Sequence, residues 1–221
     1  MSNGNGAARF LQALRHGATH TGEPHHDVPA FLIAHGHPKT AKHCAAVARE
    51  ARRIAALVGA DADGAERAGW FHDVSAIFPT ADRIAAAHAL GVKVLPEEAA
   101  FPMILHQKLS AVLARELFGE RNDAVLSAIG CHTTLKADAS TLDTVVFVAD
   151  KIAWDQPGIL PYRDALLAAL AHSLDAARSS TSAISGSGAK RSASFIPGSS
   201  MPTSDMPTPN AAGNARALPA D

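Results

Sequence analysis

The chain has 221 residues, with 20 Lys plus Arg against 21 Asp plus Glu and a formal net charge of -1. That length supports one domain with a real core, and the charge balance excludes the broad basic footprint of a nucleic-acid binder. Two cysteines, Cys44 and Cys131, are too few for a disulfide framework or a Cys-rich zinc site, so a reducing compartment fits.

Residues 1–30, with Gly17, Gly22, Pro24 and Pro29, read as a loose N-terminal lead-in with a short helical piece. The first residues lack the basic and apolar regions of a secretory signal. No apolar run reaches the ~18 residues that a membrane span requires. A cytoplasmic protein with no membrane partner is therefore expected.

From residue 31 the pattern is helix after helix. Pro38 starts a segment that runs to Leu57–Val58, with Val47, Ala51 and Ile54 on its apolar face and Gly59 as its stop. Asp61 opens a second segment carrying Ala65, Ala68, Trp70 and Phe71. Thr80 is a candidate N-cap for a third, closed by Gly91. Segments 104–118 and 122–132 follow, the latter opened by Asn122. Ser140 and Asp143 then form a capping-box pattern ahead of an apolar helix from Leu142 to Trp154. Within it, Val145-Val146-Phe147-Val148 has strand propensity, but the cap and the length of the segment argue for helix. Pro161 begins a last helix through Leu166, Leu167, Leu170 and Leu174. From 179 to 221, Ser, Thr, Pro and Gly dominate and large apolar residues thin out, the composition of a disordered low-complexity tail. The fold class is all-α, a single helical bundle over 31–178.

The unusual entry in the composition is 12 histidines. His72-Asp73 lies where an apolar helix ends. Neighbours on a regular helix diverge by about 100°, so two adjacent side chains share one ion only where the helix stops or distorts. A neutral imidazole with a carboxylate suits iron, manganese, cobalt or zinc better than calcium. The same dipeptide at His26-Asp27, between Pro24 and Pro29, is expected to be solvated in a loop. His43 sits on the long helix among small neighbours that would let another helix approach. Asp150 is a carboxylate within an otherwise apolar helix, where burial without a partner is costly and a cation would remove the penalty. His106 starts one helix, and His132 ends another, followed by Thr133. Cys44 and Cys131 read as small core residues, and His35-Gly-His37 as a loop ahead of Pro38.

The order His43, His72-Asp73, His106, His132, Asp150 resembles that of the HD superfamily of metal-dependent phosphohydrolases. The finer likeness is to its bacterial YqeK-like branch. It is carried by Thr40-Ala-Lys-His43, Ala68-Gly-Trp-Phe-His-Asp73, Ile104-Leu-His106, Ala128-Ile-Gly-Cys-His-Thr-Thr134 and Phe147-Val-Ala-Asp-Lys-Ile152. The resemblance implies an HD-type domain over 31–178 that cleaves diadenosine tetraphosphate symmetrically into two ADP with iron as cofactor, as one ion or two. It implies His43, His72, Asp73 and Asp150 as metal ligands and Asp73, His106 and His132 as catalytic residues. His106, His132 and Thr133 would face the substrate phosphates or a second metal. The partner implied is a small-molecule nucleotide, with no nucleic acid, and a homodimer is left open. The chain departs from the branch at Thr40, Ala76, Leu135 and Gln156, where Arg, Lys, Gly and a basic residue are usual. Lys136, Lys151 or Lys108 would then supply the phosphate-binding charge. The other readings are a nucleotidase or phosphodiesterase of the same superfamily, and a nucleotide-binding regulator with little turnover.

Overall fold

A computed structural model describes residues 3–15, 21–153 and 163–180. Helices joined by turns and short irregular stretches make up the described residues, with no strand among them. In chain order the helices are α1 (Asn3–Ala13), α2 (Pro24–Ala34), α3 (Pro38–Val58), α4 (Ala62–Phe71), α5 (Arg83–Ala89), α6 (Pro96–Ala100), α7 (Leu105–Leu117), α8 (Asp123–Cys131), α9 (Thr141–Ile152) and α10 (Arg163–His172). Short 3-10 turns occupy Val74–Ile77, Thr80–Asp82 and Pro102–Ile104.

Three helix starts follow from local side-chain hydrogen-bond chemistry. The Asp61 side chain accepts from Gly64 N at the start of α4, and that of Asn122 from Ala124 N and Val125 N at the start of α8. Ser140 and Asp143 close a reciprocal capping box on α9, with Ser140 Oγ accepting from Asp143 N and Asp143 Oδ2 accepting from Ser140 N. The Val145–Val148 run is therefore helical, and each of its residues is buried because α9 packs against α3, α4 and α8.

Four expectations are corrected. The boundary placed after residue 30 falls inside α2, whose Val28, Phe31 and Leu32 are fully buried, so α2 is part of the bundle. Asp27 is not solvated. It is 3 % exposed and accepts from Thr21 N, Thr21 Oγ1 and Gly22 N. Thr80 caps nothing with its side chain: the chain first winds a 3-10 turn, and α5 begins at Arg83. The apolar helix expected to reach Trp154 stops at Ile152, capped by Ala153 N donating to Ala149 O. Trp154, Gln156 and Pro161 lie outside the described residues, as does the expected tail beyond 180, while 174–180 is helical.

The core joins α2, α3, α4, α7, α8 and α9, with α3 packed along α4 and α9, and α8 along α7 and α9. The α3–α4 contact is the closest in character. A Cβ placed on Gly69 would lie 2.6 Å from Ala48 Cα and 2.8 Å from Ala48 N, so only glycine lets the two backbones meet there. This approach brings the His43 and His72 rings to 5.0 Å between centroids.

Candidate metal centre

His72 is the C-cap of α4, and at Asp73 the backbone leaves the helix with φ -118 and ψ 20. The helix end thus allows the two neighbours to converge, with His72 Nε2 3.5 Å from Asp73 Oδ2. The first turn of α7 contributes His106, the C-cap of α8 contributes His132, α3 contributes His43 and α9 contributes Asp150. His72 Nε2 is 3.7 Å from Asp150 Oδ1, and His43 Nε2 is 3.2 Å from the same oxygen. His106 Nε2 and His132 Nε2 are 3.6 and 3.7 Å from Asp73 Oδ1 and 3.0 Å from each other.

The tautomers follow from what lies behind each ring. A carbonyl oxygen only accepts, so a ring nitrogen bonded to one must carry the proton. His72 Nδ1 donates to Gly69 O at 2.8 Å, His106 Nδ1 to Met103 O at 2.6 Å and His132 Nδ1 to Ile129 O at 2.8 Å. His43 Nδ1 donates to Ala153 O at 3.2 Å. In a neutral ring the other nitrogen then presents a lone pair. Four Nε2 lone pairs therefore face two carboxylates. His72 Nε2 is buried with no hydrogen-bond partner. Such an array is self-repelling until a cation sits within it, and backbone-anchored imidazoles are how proteins orient metal ligands. The donor set fits a borderline divalent metal. Ligand-capable atoms fall into two triads that share His72: His43, His72 and Asp150, and His72, Asp73 and His132. His132, expected at the substrate phosphates or a second metal, lies in the second triad.

Burial, reinforced by His72 and His106, pushes the His132 imidazole down to about 3, and burial lowers His106 as well. Burial opposes ionisation of Asp150, yet Lys151 beside it holds its carboxyl well below the usual range. Burial, with Asp73 next, pushes the Cys44 thiol well above its ordinary value, which keeps it protonated in the core. These directions carry a stability prediction for the metal-free protein. A histidine whose folded value lies below its ordinary 6.5 binds its proton more readily when unfolded. Its contribution is fully present above about pH 6.5 and is lost as pH falls toward 3. Urea midpoints of chelated protein should fall steadily from pH 7 to pH 5; a flat profile would contradict protonation-excluding burial of His132.

Two of the predicted cations are engaged elsewhere. Lys136 Nζ pairs with Asp143 Oδ2 at 3.0 Å and contacts Ser127 Oγ, which ties it to the cap of α9. Lys108 pairs with Glu98 at 2.6 Å. Lys151 does reach the centre, with Nζ 2.7 Å from Asp150 Oδ2. Thr133 Oγ1 lies 2.9 Å from His106 Nε2, positioned to donate to it. Leu135, at the branch's usual glycine, adopts φ 52, a left-handed conformation that costs an L-residue roughly 1 kcal/mol.

Sequence reasoning passed over three supporting groups. Gln107 Oε1 accepts from Thr133 N and Thr134 N, and its Nε2 donates to Thr134 Oγ1, which fixes the turn after His132. Ser75 Oγ donates to His106 O, and Ser110 Oγ donates to Ser75 Oγ, tying the segment after Asp73 to α7. Each is a polar residue at a buried helical position, and that was the one available cue.

A helical bundle that gathers histidines and aspartates from five helices around one point has the donor set of a candidate metal centre. Comparison with known proteins gives its family. The HD domain family matches residues 40–155, and the chain belongs to it. A Lactococcus lactis subsp. cremoris protein, named only for its place in the pepC 5' region, is 46% identical over 110 residues, covering 50% of this chain and 56% of that protein. A symmetrical bis(5'-nucleosyl)-tetraphosphatase of Halalkalibacterium halodurans is 32% identical over 113 residues, covering 50% and 59%. The chain thus spans little more than half the length of these relatives. In fold it matches a crystal structure of a "predicted HD superfamily hydrolase involved in NAD metabolism" from Clostridium acetobutylicum, with TM-score 0.70 and 24% identity over 76% of this chain and 88% of that one. No described helix is long and apolar enough to cross a membrane.

Proposed function

We propose that this centre hydrolyses phosphoanhydride bonds in dinucleoside polyphosphates, foremost diadenosine tetraphosphate, to two ADP. The observation that carries the reading is the set of converging, backbone-anchored Nε2 lone pairs around Asp73 and Asp150. The naming of the Halalkalibacterium relative supports the substrate.

His43, His72, Asp73 and Asp150 would hold a divalent metal, with iron first and manganese, cobalt or zinc also compatible. The two triads sharing His72 accommodate one ion or two. When bound, the metal supplies Lewis-acid polarisation of a phosphoryl oxygen and lowers the pKa of water. Symmetrical cleavage forms a bond from water oxygen to one central phosphorus and breaks that phosphorus's bond to the bridging oxygen, which leaves with the second ADP. Neutral His106 accepts the water proton at Nε2, where it displaces the donation from the Thr133 hydroxyl, and Asp73 beside it stabilises the resulting imidazolium. The same nitrogen then returns a proton to the departing phosphate oxygen. His132 fixes the His106 ring by contact, and Lys151 offsets phosphate charge beside Asp150.

The engagement of Lys136 by Asp143 favours one second reading, a nucleotidase or phosphodiesterase of the same family with a less charged substrate. Anaerobically purified, iron-loaded protein incubated with diadenosine tetraphosphate should release two ADP. Release of ATP with AMP would overturn the symmetrical reading. Phosphate or nucleoside released from mononucleotides, with the tetraphosphate untouched, would establish the second.

A further inference from the structure

A dinucleoside polyphosphate carries more negative charge than a metal and one lysine offset, so the site needs another cation. The branch's usual lysine position is Ala76, and Lys136 and Lys108 are paired with Asp143 and Glu98. Arg83, the first residue of α5, is in a different situation. Its Nε donates to Phe78 O at 3.2 Å and its Nη1 to Met103 O at 2.6 Å. Met103 O is also the acceptor of the His106 Nδ1 proton, at 2.6 Å. One carbonyl oxygen therefore joins the guanidinium to the ring whose other nitrogen faces Asp73. Among the described residues no carboxylate is ion-paired with Arg83. The Asp73 carboxylate is felt at the guanidinium, and the guanidinium in turn at His106. Two of the guanidinium's donors fix its plane through neutral carbonyls, which leaves its positive charge without a paired carboxylate and its remaining N–H groups available for an anion.

From this juxtaposition we infer that Arg83 is the phosphate-binding cation of the site, holding a phosphate of the substrate beside His106 in place of the lysine missing at position 76. The inference rests on the reading that the substrate is a polyphosphate. It assigns Arg83 to binding, with the metal held by other residues.

The test uses metal-loaded full-length protein and two probes, ADP and inorganic pyrophosphate, with binding followed by calorimetry and metal content measured on the same samples. Arg83→Gln should weaken binding of both probes on the order of 10- to 100-fold, the loss of a charge-assisted hydrogen-bonded contact, while metal content stays at the wild-type level. Arg83→Lys should recover part of that affinity, because it returns the charge without the planar fork. Catalysis should show the effect in KM more than in kcat. Unchanged affinity in Arg83→Gln would overturn the inference. So would loss of metal together with affinity, which would make Arg83 a support for the turn at Met103. If wild type binds pyrophosphate but neither binds ADP nor cleaves dinucleotides, the nucleotide reading falls, and Arg83 is still judged by its effect on pyrophosphate.

Discussion

His72→Ala is expected to remove the metal and to lower hydrolysis by about 1,000-fold or more. His72 is shared by both ligand triads, so one substitution breaks each of them. Its Nε2 is buried with no hydrogen-bond partner, so no protein group takes over its role. A metal is worth several kcal/mol of transition-state stabilisation, and each 1.36 kcal/mol is tenfold in rate. Elemental analysis of chelex-treated, iron-reconstituted protein reads the first effect, and the rate of ADP formation reads the second. A variant that keeps a full complement of tightly bound iron would show that the converging side chains do not constitute the centre. His106→Ala offers the contrast: its ring lies in neither triad, so activity should fall while metal is retained.

Gly69→Ala should damage both the fold and the centre, although it adds only one methyl group. That methyl would sit 2.6 Å from Ala48 Cα, against helix backbone that has no rotamer to give. Overpacking of this kind costs about 1–3 kcal/mol, and each kcal/mol lowers the melting temperature by about 2–4 °C in a domain of this size. The shift reaches the metal because Gly69 O holds the His72 Nδ1 proton and Ala48 lies on the helix that carries His43. Loss of such a supporting contact lowers metal affinity about 10- to 100-fold. Gly130→Ala is the control. There the nearest atom to an added Cβ is Ala111 Cβ at 3.8 Å, an ordinary contact, so stability should hold or rise by up to about 1 kcal/mol. Equal melting temperatures for the two variants would mean that the α3–α4 approach is not tight.

The helices were legible because their signals are local. Caps at Asp61, Asn122 and Ser140 satisfy backbone donors within a few residues, and apolar periodicity marks the buried faces. Thr80 was misleading for the same reason: its cap pattern is real, but the chain between Asp73 and Arg83 is pulled into 3-10 turns by contacts with α7 that no local pattern encodes. The ligand types were also legible, since an acid within an apolar helix and imidazoles at helix ends are costly residues to place without a use.

The two His-Asp dipeptides separate what sequence determined from what tertiary structure decided. In sequence they are the same pair. Asp27 falls in the first turn of α2, where Thr21 and Gly22 bring donors to its carboxylate, and it becomes a buried structural acid. Asp73 falls just past the last turn of α4, where backbone groups offer acceptors, and no described backbone N–H donates to its carboxylate. Three of the four imidazoles take their orienting carbonyl from their own helix or turn, a local matter. The fourth, His43, takes it from Ala153 at the far end of α9. The sequence by itself determined which helices form and which of them carry a ligand. Only packing decided that the Nε2 atoms meet, because convergence depends on how closely α3 and α4 approach, and that distance is set by the absence of a side chain at Gly69.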